Sequence, residues 1–161
     1  MLKIYQSKNF IVEATQHPHI DRDEGGHIKI TPSIRVPDRQ HLSSELAIEL
    51  MRLTIVAGEA FTKVMNEHGV DIARINYQDN GNWGVFDEDG PYLHIHLYGR
   101  AKSAKIQKYG QALYLPHKNS HPEFYANSKP LKEEDIKDIK DEIEKLFKEE
   151  RYSDNNWGYK N

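Results

Sequence analysis

Two histidines stand two residues apart in Tyr92-Leu93-His94-Ile95-His96-Leu97-Tyr98, alternating strictly with aliphatic residues. Such alternation predicts a β-strand, in which residues two apart share a face. Tyr92, His94, His96 and Tyr98 then point one way, and Leu93, Ile95 and Leu97 the other. Strand geometry puts the Cβ atoms of the two histidines roughly 6–7 Å apart. A neutral imidazole is a competent nucleophile near neutral pH once an acceptor holds its other N–H. A second imidazole beside it can bind phosphate oxygens or move a proton, a contribution of about 10²–10⁴-fold. The same His-x-His spacing also suits zinc, and it occurs as plain polar decoration of a wet sheet face. Residue types alone leave metal ligation and phosphoryl or nucleotidyl transfer through a covalent histidine both open.

Other elements must position this strand. Asn9 to Ala14 is short, β-branched and apolar, and His27 to Thr31 alternates before Pro32, so both read as strands. Between them lies a polar loop containing His17-Pro18-His19 and ending at Gly25-Gly26. Leu46, Leu50, Leu53, Ala57, Ala60, Phe61 and Val64 recur at helical spacing, which predicts a helix from about Ser43 to His68. Ser43 or Ser44 can cap it, and Gly69 can end it. Asp71 to Gln78 alternates again, and Asp79-Asn80-Gly81-Asn82 is turn chemistry. Gly99 to Ser128 reads as irregular. A second helix is expected from Pro130 to about Glu150, with Ile136, Ile139, Ile143, Leu146 and Phe147 as its stripe and Glu133/Lys137, Asp141/Lys145 and Glu144/Lys148 as ion pairs. The tail from Ser153 to Asn161 reads as frayed. This order predicts an α+β fold: an antiparallel sheet of about five strands, a long helix packed on it and a C-terminal helical extension. Residues 1–110 would form the domain and 111–161 the extension.

Composition limits the chemistry. The 161 residues suffice for a core without staples. The absence of cysteine removes disulfides, thiolate metal sites and thiol nucleophiles. A net charge of -3 with no basic stripe argues against general nucleic-acid binding. A local phosphate site remains open, since backbone N–H groups and imidazoles can build one. No stretch is long and apolar enough to span a membrane, and residues 1–10 show no signal-peptide core, so a cytoplasmic protein without membrane association is expected.

The segment from Tyr92 to Arg100 resembles the His-φ-His-φ-His-φ-φ signature of the histidine-triad (HIT) superfamily, φ being apolar. Gly25 to Pro32 is similar to that family's Gly-His strand, and the long helix and Asn76 fall in the family's order; the resemblance covers roughly residues 8 to 105. It implies that His94 is the nucleophile at a nucleotide α-phosphate, forming a nucleotidyl-histidine. It also implies that His96 contacts the phosphate and that His27 supports both. Asn76, or Gln78 as second choice, would touch ribose or phosphate, Tyr92 would orient His94 through its carbonyl, and Phe10 and Ile11 would wall the base. The partners implied are a dinucleoside polyphosphate or nucleoside phosphoramidate and a second copy of the chain in a homodimer; no metal or cofactor is required. The sequence departs from the pattern at Tyr92, which replaces the first histidine, at Gly99, which replaces a proline, and at Asp87-Glu88-Asp89-Gly90-Pro91, which replaces a Gly-Gln-Ser/Thr run. The rival readings are a metal-dependent hydrolase using His94 and His96 and a nucleotide-binding protein with weak catalysis.

Overall fold

The computed structural model describes residues 2–80, 84–86 and 88–158. Five strands form one antiparallel sheet in the order β1-β2-β3-β5-β4: β1 Leu2–Gln6, β2 Phe10–Ala14, β3 His27–Pro32, β4 Ile72–Asp79 and β5 Ile95–Ala101. Helix α1, Ser44–Glu67, crosses one face, and α3, Glu133–Leu146, packs against α1 and β1. Two short helices, α2 Pro122–Ala126 and α4 Asp154–Trp157, complete the chain. The fold is the expected α+β arrangement.

Alternation along the strands sends Phe10, Val12, Ile28, Ile30, Ile95 and Leu97 to the helix side, where they meet Leu53, Val56, Phe61, Val64 and Met65 of α1. Burying each large apolar side chain stabilises by about 1.5–3 kcal/mol. Ile139, Ile143 and Leu146 of α3 join the same core. The caps of α1 follow the sequence: the Ser43 hydroxyl accepts from the Leu46 N–H, and Gly69 follows the helix at φ +83°.

Several elements differ from expectation for identifiable reasons. β1 was not anticipated; it is an edge strand with only Ile4 fully inward, so its pattern is weak. β5 begins at Ile95 rather than Tyr92 and runs through Gly99 and Arg100, because β3 and β4 pair with it on both sides. Gly99 is required there: a Cβ on it would lie 2.1 Å from the Gly25 carbonyl oxygen, and a Cβ on Gly25 would lie equally close to that of Gly99. Helix α3 starts at Glu133, not Pro130, where the Asp135 carboxylate accepts from the Lys132 N–H. On its surface Lys137 pairs with Asp141 and Lys140 with Glu144, rather than in the expected combinations. The tail is pinned as far as Gly158. Tyr152 is buried, and Arg52 reaches both its carbonyl and the Asp154 carboxylate. Gly81, Asn82 and Asp87, part of the turn and acidic-loop expectations, and residues 159–161 of the tail lie outside the described residues.

Candidate active site

The sheet face opposite α1 carries the polar half of each alternation. His96 stands across from Lys29 on one side and Gln78 on the other, and Tyr98 across from His27 and Asn76. Above this face lies a cavity of about 580 Å³. His94, His96, His27, Gln78 and Tyr92 all line it, joined by His17 and His19 of the loop between β2 and β3. Asn76 shares the face but does not line the cavity; Gln78, two residues nearer the open end, does. Phe10 requires a correction. It is fully buried in the core on the α1 side, because its strand parity matches Val12 and Ala14. Ile11 has the opposite parity, across from Thr31, and it too lies outside the cavity lining.

Each imidazole is held in a definite tautomer by what its neighbours can offer. The Tyr92 carbonyl can only accept, so His94 Nδ1–H donates to it at 2.9 Å. Neutral His94 therefore carries its lone pair on Nε2. The local cause is that residues 92–94 precede the paired strand, which lets the ring fold back on a carbonyl two residues earlier; the Leu93 N–H is meanwhile tied to the Val36 carbonyl. A second relay begins at a backbone donor. The His19 N–H donates to His27 Nδ1 at 3.1 Å, which makes that nitrogen an acceptor and places the His27 proton on Nε2. His27 Nε2–H then donates to His96 Nδ1 at 2.8 Å, leaving the His96 proton on Nε2. One imidazole thus offers a lone pair and the other an N–H donor, with ring centroids 4.6 Å apart.

All these imidazoles are held neutral. Burial pushes His96 down to about 2 and His19 to about 4, with the neighbouring imidazoles, Lys118 and Lys29 acting in the same direction. Burial likewise holds His27 well below its ordinary value. Burial also lowers His94, opposed by the Tyr92 carbonyl and by Asp79. The His19 ring stacks on His27 at 4.9 Å and bonds the Tyr98 hydroxyl through Nδ1 at 2.8 Å, so it buttresses the second relay. The available sequence signal was His19 preceding the Gly25-Gly26 turn, which folds that loop back over β3.

Among the described residues, two clusters have donor sets of a metal-binding type: His19, His27 and His96, and His68, Glu134 and Asp138. In the first, the facing nitrogens of His27 and His96 are 2.8 Å apart in a hydrogen bond. Two ligands of a tetrahedral zinc with bonds of about 2.0–2.1 Å stand roughly 3.3 Å apart. The relay and a shared metal are therefore incompatible without rearrangement. In the second, both His68 nitrogens face carboxylates, Asp135 at 2.7 Å and Asp138 at 3.1 Å, as an imidazolium would. Among the described residues, no helix is long and apolar enough to cross a membrane.

No protein-family model matches the sequence, and no curated protein matches it. Solved structures do match. A HIT-like protein involved in cell-cycle regulation from Bartonella henselae aligns over 88% of this chain and 85% of its own, at 13% identity and a TM-score of 0.56. A hypothetical histidine triad nucleotide-binding protein from Sulfolobus tokodaii aligns over 90% and 85%, at 15% identity and a TM-score of 0.55. A Zn-bound histidine triad family protein from Mycobacterium smegmatis aligns over 89% and 84%, at 16% identity and a TM-score of 0.56. The chain has the histidine-triad fold.

Proposed function

We propose that this protein is a nucleotidyl hydrolase or transferase of the histidine-triad type, acting at a nucleotide α-phosphate through a nucleotidyl-histidine on His94. The observation that carries the reading is the His94–Tyr92 hydrogen bond, which leaves the lone pair on Nε2 of one cavity-lining ring, while the neighbouring cavity-lining imidazole, His96, carries its proton on Nε2. The departure at position 92 is accommodated because only the backbone carbonyl is used, and tyrosine supplies it. In the forward step the Nε2 lone pair of His94 bonds to phosphorus while the bond to the departing group breaks, its electron pair leaving with that group; a phosphate leaves as the anion, and an amine takes up a proton from solvent as it leaves. In the second step water attacks the same phosphorus, the P–N bond breaks, its electrons return to Nε2, and the water proton passes to solvent. His96 Nε2–H holds a non-bridging phosphate oxygen as charge develops there, the type of contact whose removal costs about 10²–10³-fold. His27 and His19 act by fixing that tautomer. The nucleotide-binding name of the Sulfolobus tokodaii neighbour agrees with this substrate class.

We read the active form as a homodimer. The support is an apolar surface on α1 and β4, with Met51, Ile55 and Tyr77 exposed beside the open edge of β4.

The test is mass spectrometry after incubation with adenosine 5′-phosphoramidate, with and without prior dialysis against a chelator. A nucleotidyl adduct is expected on the wild type after chelation and is absent from His94→Ala. An adduct of equal yield on the variant would remove His94 from the role, and loss of the adduct on chelation would favour the metal-dependent rival. The native-mass spectrum of the same sample should read twice the chain mass.

A further inference from the structure

The histidine-triad signature ends in apolar positions, and the last of them is here Tyr98. Tyr98 is fully buried on the polar face of β5, two residues past His96. Its ring lies nearly parallel to that of His96, at 8° and 5.2 Å, and 4.7 Å from that of His27. Its hydroxyl meets His19 Nδ1 at 2.8 Å. Tyr98 thus touches all three imidazoles of the second relay. An aliphatic residue at this place would supply packing but no hydroxyl.

What the hydroxyl adds follows from counting protons along the relay. The His19 N–H donates to His27 Nδ1, His27 Nε2–H donates to His96 Nδ1, and His96 keeps its proton on Nε2. The same two rings have a second arrangement. A His96 protonated on Nδ1 would donate to His27 Nε2, and the His27 proton would sit on Nδ1. The 2.8 Å contact would survive with its polarity reversed. His96 Nε2 would then present a lone pair, and a phosphate oxygen would meet repulsion in place of a donor. Burial keeps both rings neutral, so charge does not choose between the two arrangements. His19 does: its N–H would face His27 Nδ1–H, donor against donor. The polarity of the relay therefore rests on where one backbone N–H points.

Contacts of the His19 side chain help to aim that N–H. The ring stacks on His27 at 4.9 Å, meets Tyr125 edge-on at 5.6 Å and bonds the Tyr98 hydroxyl. Of these, the hydrogen bond is the directional one. Burial raises the Tyr98 pKa, against the effect of the Asn80 side chain, so the hydroxyl stays protonated. Without that hydroxyl a largely buried imidazole nitrogen loses this partner, and the ring must turn to replace it.

We propose that Tyr98 is a positioning residue, whose hydroxyl acts through His19 to keep the His96 proton on Nε2. The catalytic consequence rests on the nucleotide reading given above. The tautomer itself is a property of the protein without ligand.

Two-bond ¹H–¹⁵N correlation spectra of the labelled full-length protein at neutral pH read the tautomer of each histidine without substrate. The wild type should show His27 and His96 both protonated on Nε2. Tyr98→Phe keeps the ring, and buried Pro18 and Ile20 still seat the loop, so the variant should fold. In it His27 and His96 should populate the reversed tautomers. The rate of nucleotidyl adduct formation should fall by about tenfold or more, complete loss of one such donor being worth about 10²–10³-fold. His19→Ala removes the ring but keeps the N–H; adding Tyr98→Phe to it should change neither tautomer nor rate further, since the hydroxyl acts through that ring. Unchanged tautomers in Tyr98→Phe would overturn the proposal whatever the rate does. So would a wild type already in the reversed tautomers, or additive losses in the double variant. Reversed tautomers in Tyr98→Phe with no adduct on the wild type would uphold the positioning role and sink the nucleotide reading instead.

Discussion

Histidines in two parts of this molecule are driven to opposite charge states. At the open sheet face, His19, His27 and His96 contact one another and a backbone N–H, and burial holds them neutral. At the end of α1, His68 is bonded to Asp135 and Asp138, and its pKa is raised, chiefly by the hydrogen bond to Asp135. Asp135 is itself fully buried and held at about 2. Burial opposes that shift, but the Arg22 and His68 side chains and the Lys132 N–H outweigh it. The lesson is that burial decides unless carboxylates outweigh it. Carboxylates make an imidazole a cation that ties elements together, whereas burial without them keeps it neutral, and its hydrogen-bond partners then fix where the lone pair stands.

The comparison can be broken most severely at Arg22, which binds both oxygens of Asp135 at 2.6 and 2.7 Å. Arg22→Met leaves a buried carboxylate with only His68 and one backbone N–H, and should destabilise by about 3–5 kcal/mol in urea unfolding. A loss below about 1 kcal/mol would mean that the pair contributes little.

The next largest effect is acid sensitivity of the site. The folded-state pKa values of His27 and His96 are depressed below those of the unfolded chain. Their contribution is therefore complete above the unfolded value of about 6.5 and is lost as pH falls below it. Each should cost about 1.4 kcal/mol per pH unit at full slope, read as a falling urea midpoint between pH 6.5 and pH 5. A flat profile over that range would show that these imidazoles are protonated in the folded protein.

The smallest effect sharpens the contrast by its sign. The folded pKa of His68 is raised, so its contribution is complete below about 6.5 and is lost as pH rises through the raised value. His68→Gln should cost about 1 kcal/mol at pH 6, and the difference should shrink at pH 9. An equal cost at both values would indicate packing rather than charge.

The sequence reveals much of this arrangement where a pattern is local. The α1 stripe, the Ser43 cap and the parity of His94 and His96 depend on neighbours a few residues apart, and each is seen in the fold. Phe10 was misplaced although a local signal existed. Glu13 stands across from Lys29 on the cavity side, so Phe10, three residues away and of opposite parity, must face the core. His19 and Lys118 could not be placed this way. His19 is brought to His27 by a loop, and Lys118 comes to the cavity through Glu24, Gln107 and Tyr125, contacts between positions far apart in sequence. The register of β5 was equally hidden, since Gly99 is explained only by its close approach to Gly25.

The partners Arg22 and Asp135 lie 113 positions apart, and Arg22 roots the loop that bears His19. During synthesis the amino-terminal portion emerges first. The guanidinium must then wait, hydrated, until α3 has left the ribosome. The nascent sheet can form earlier, but the loop that sets the His27 tautomer gains its guanidinium–carboxylate clasp only then. Assembly of the candidate site is thereby timed to the emergence of α3, and a polypeptide released before residue 135 would carry every imidazole of the sheet face without the clasp beneath them.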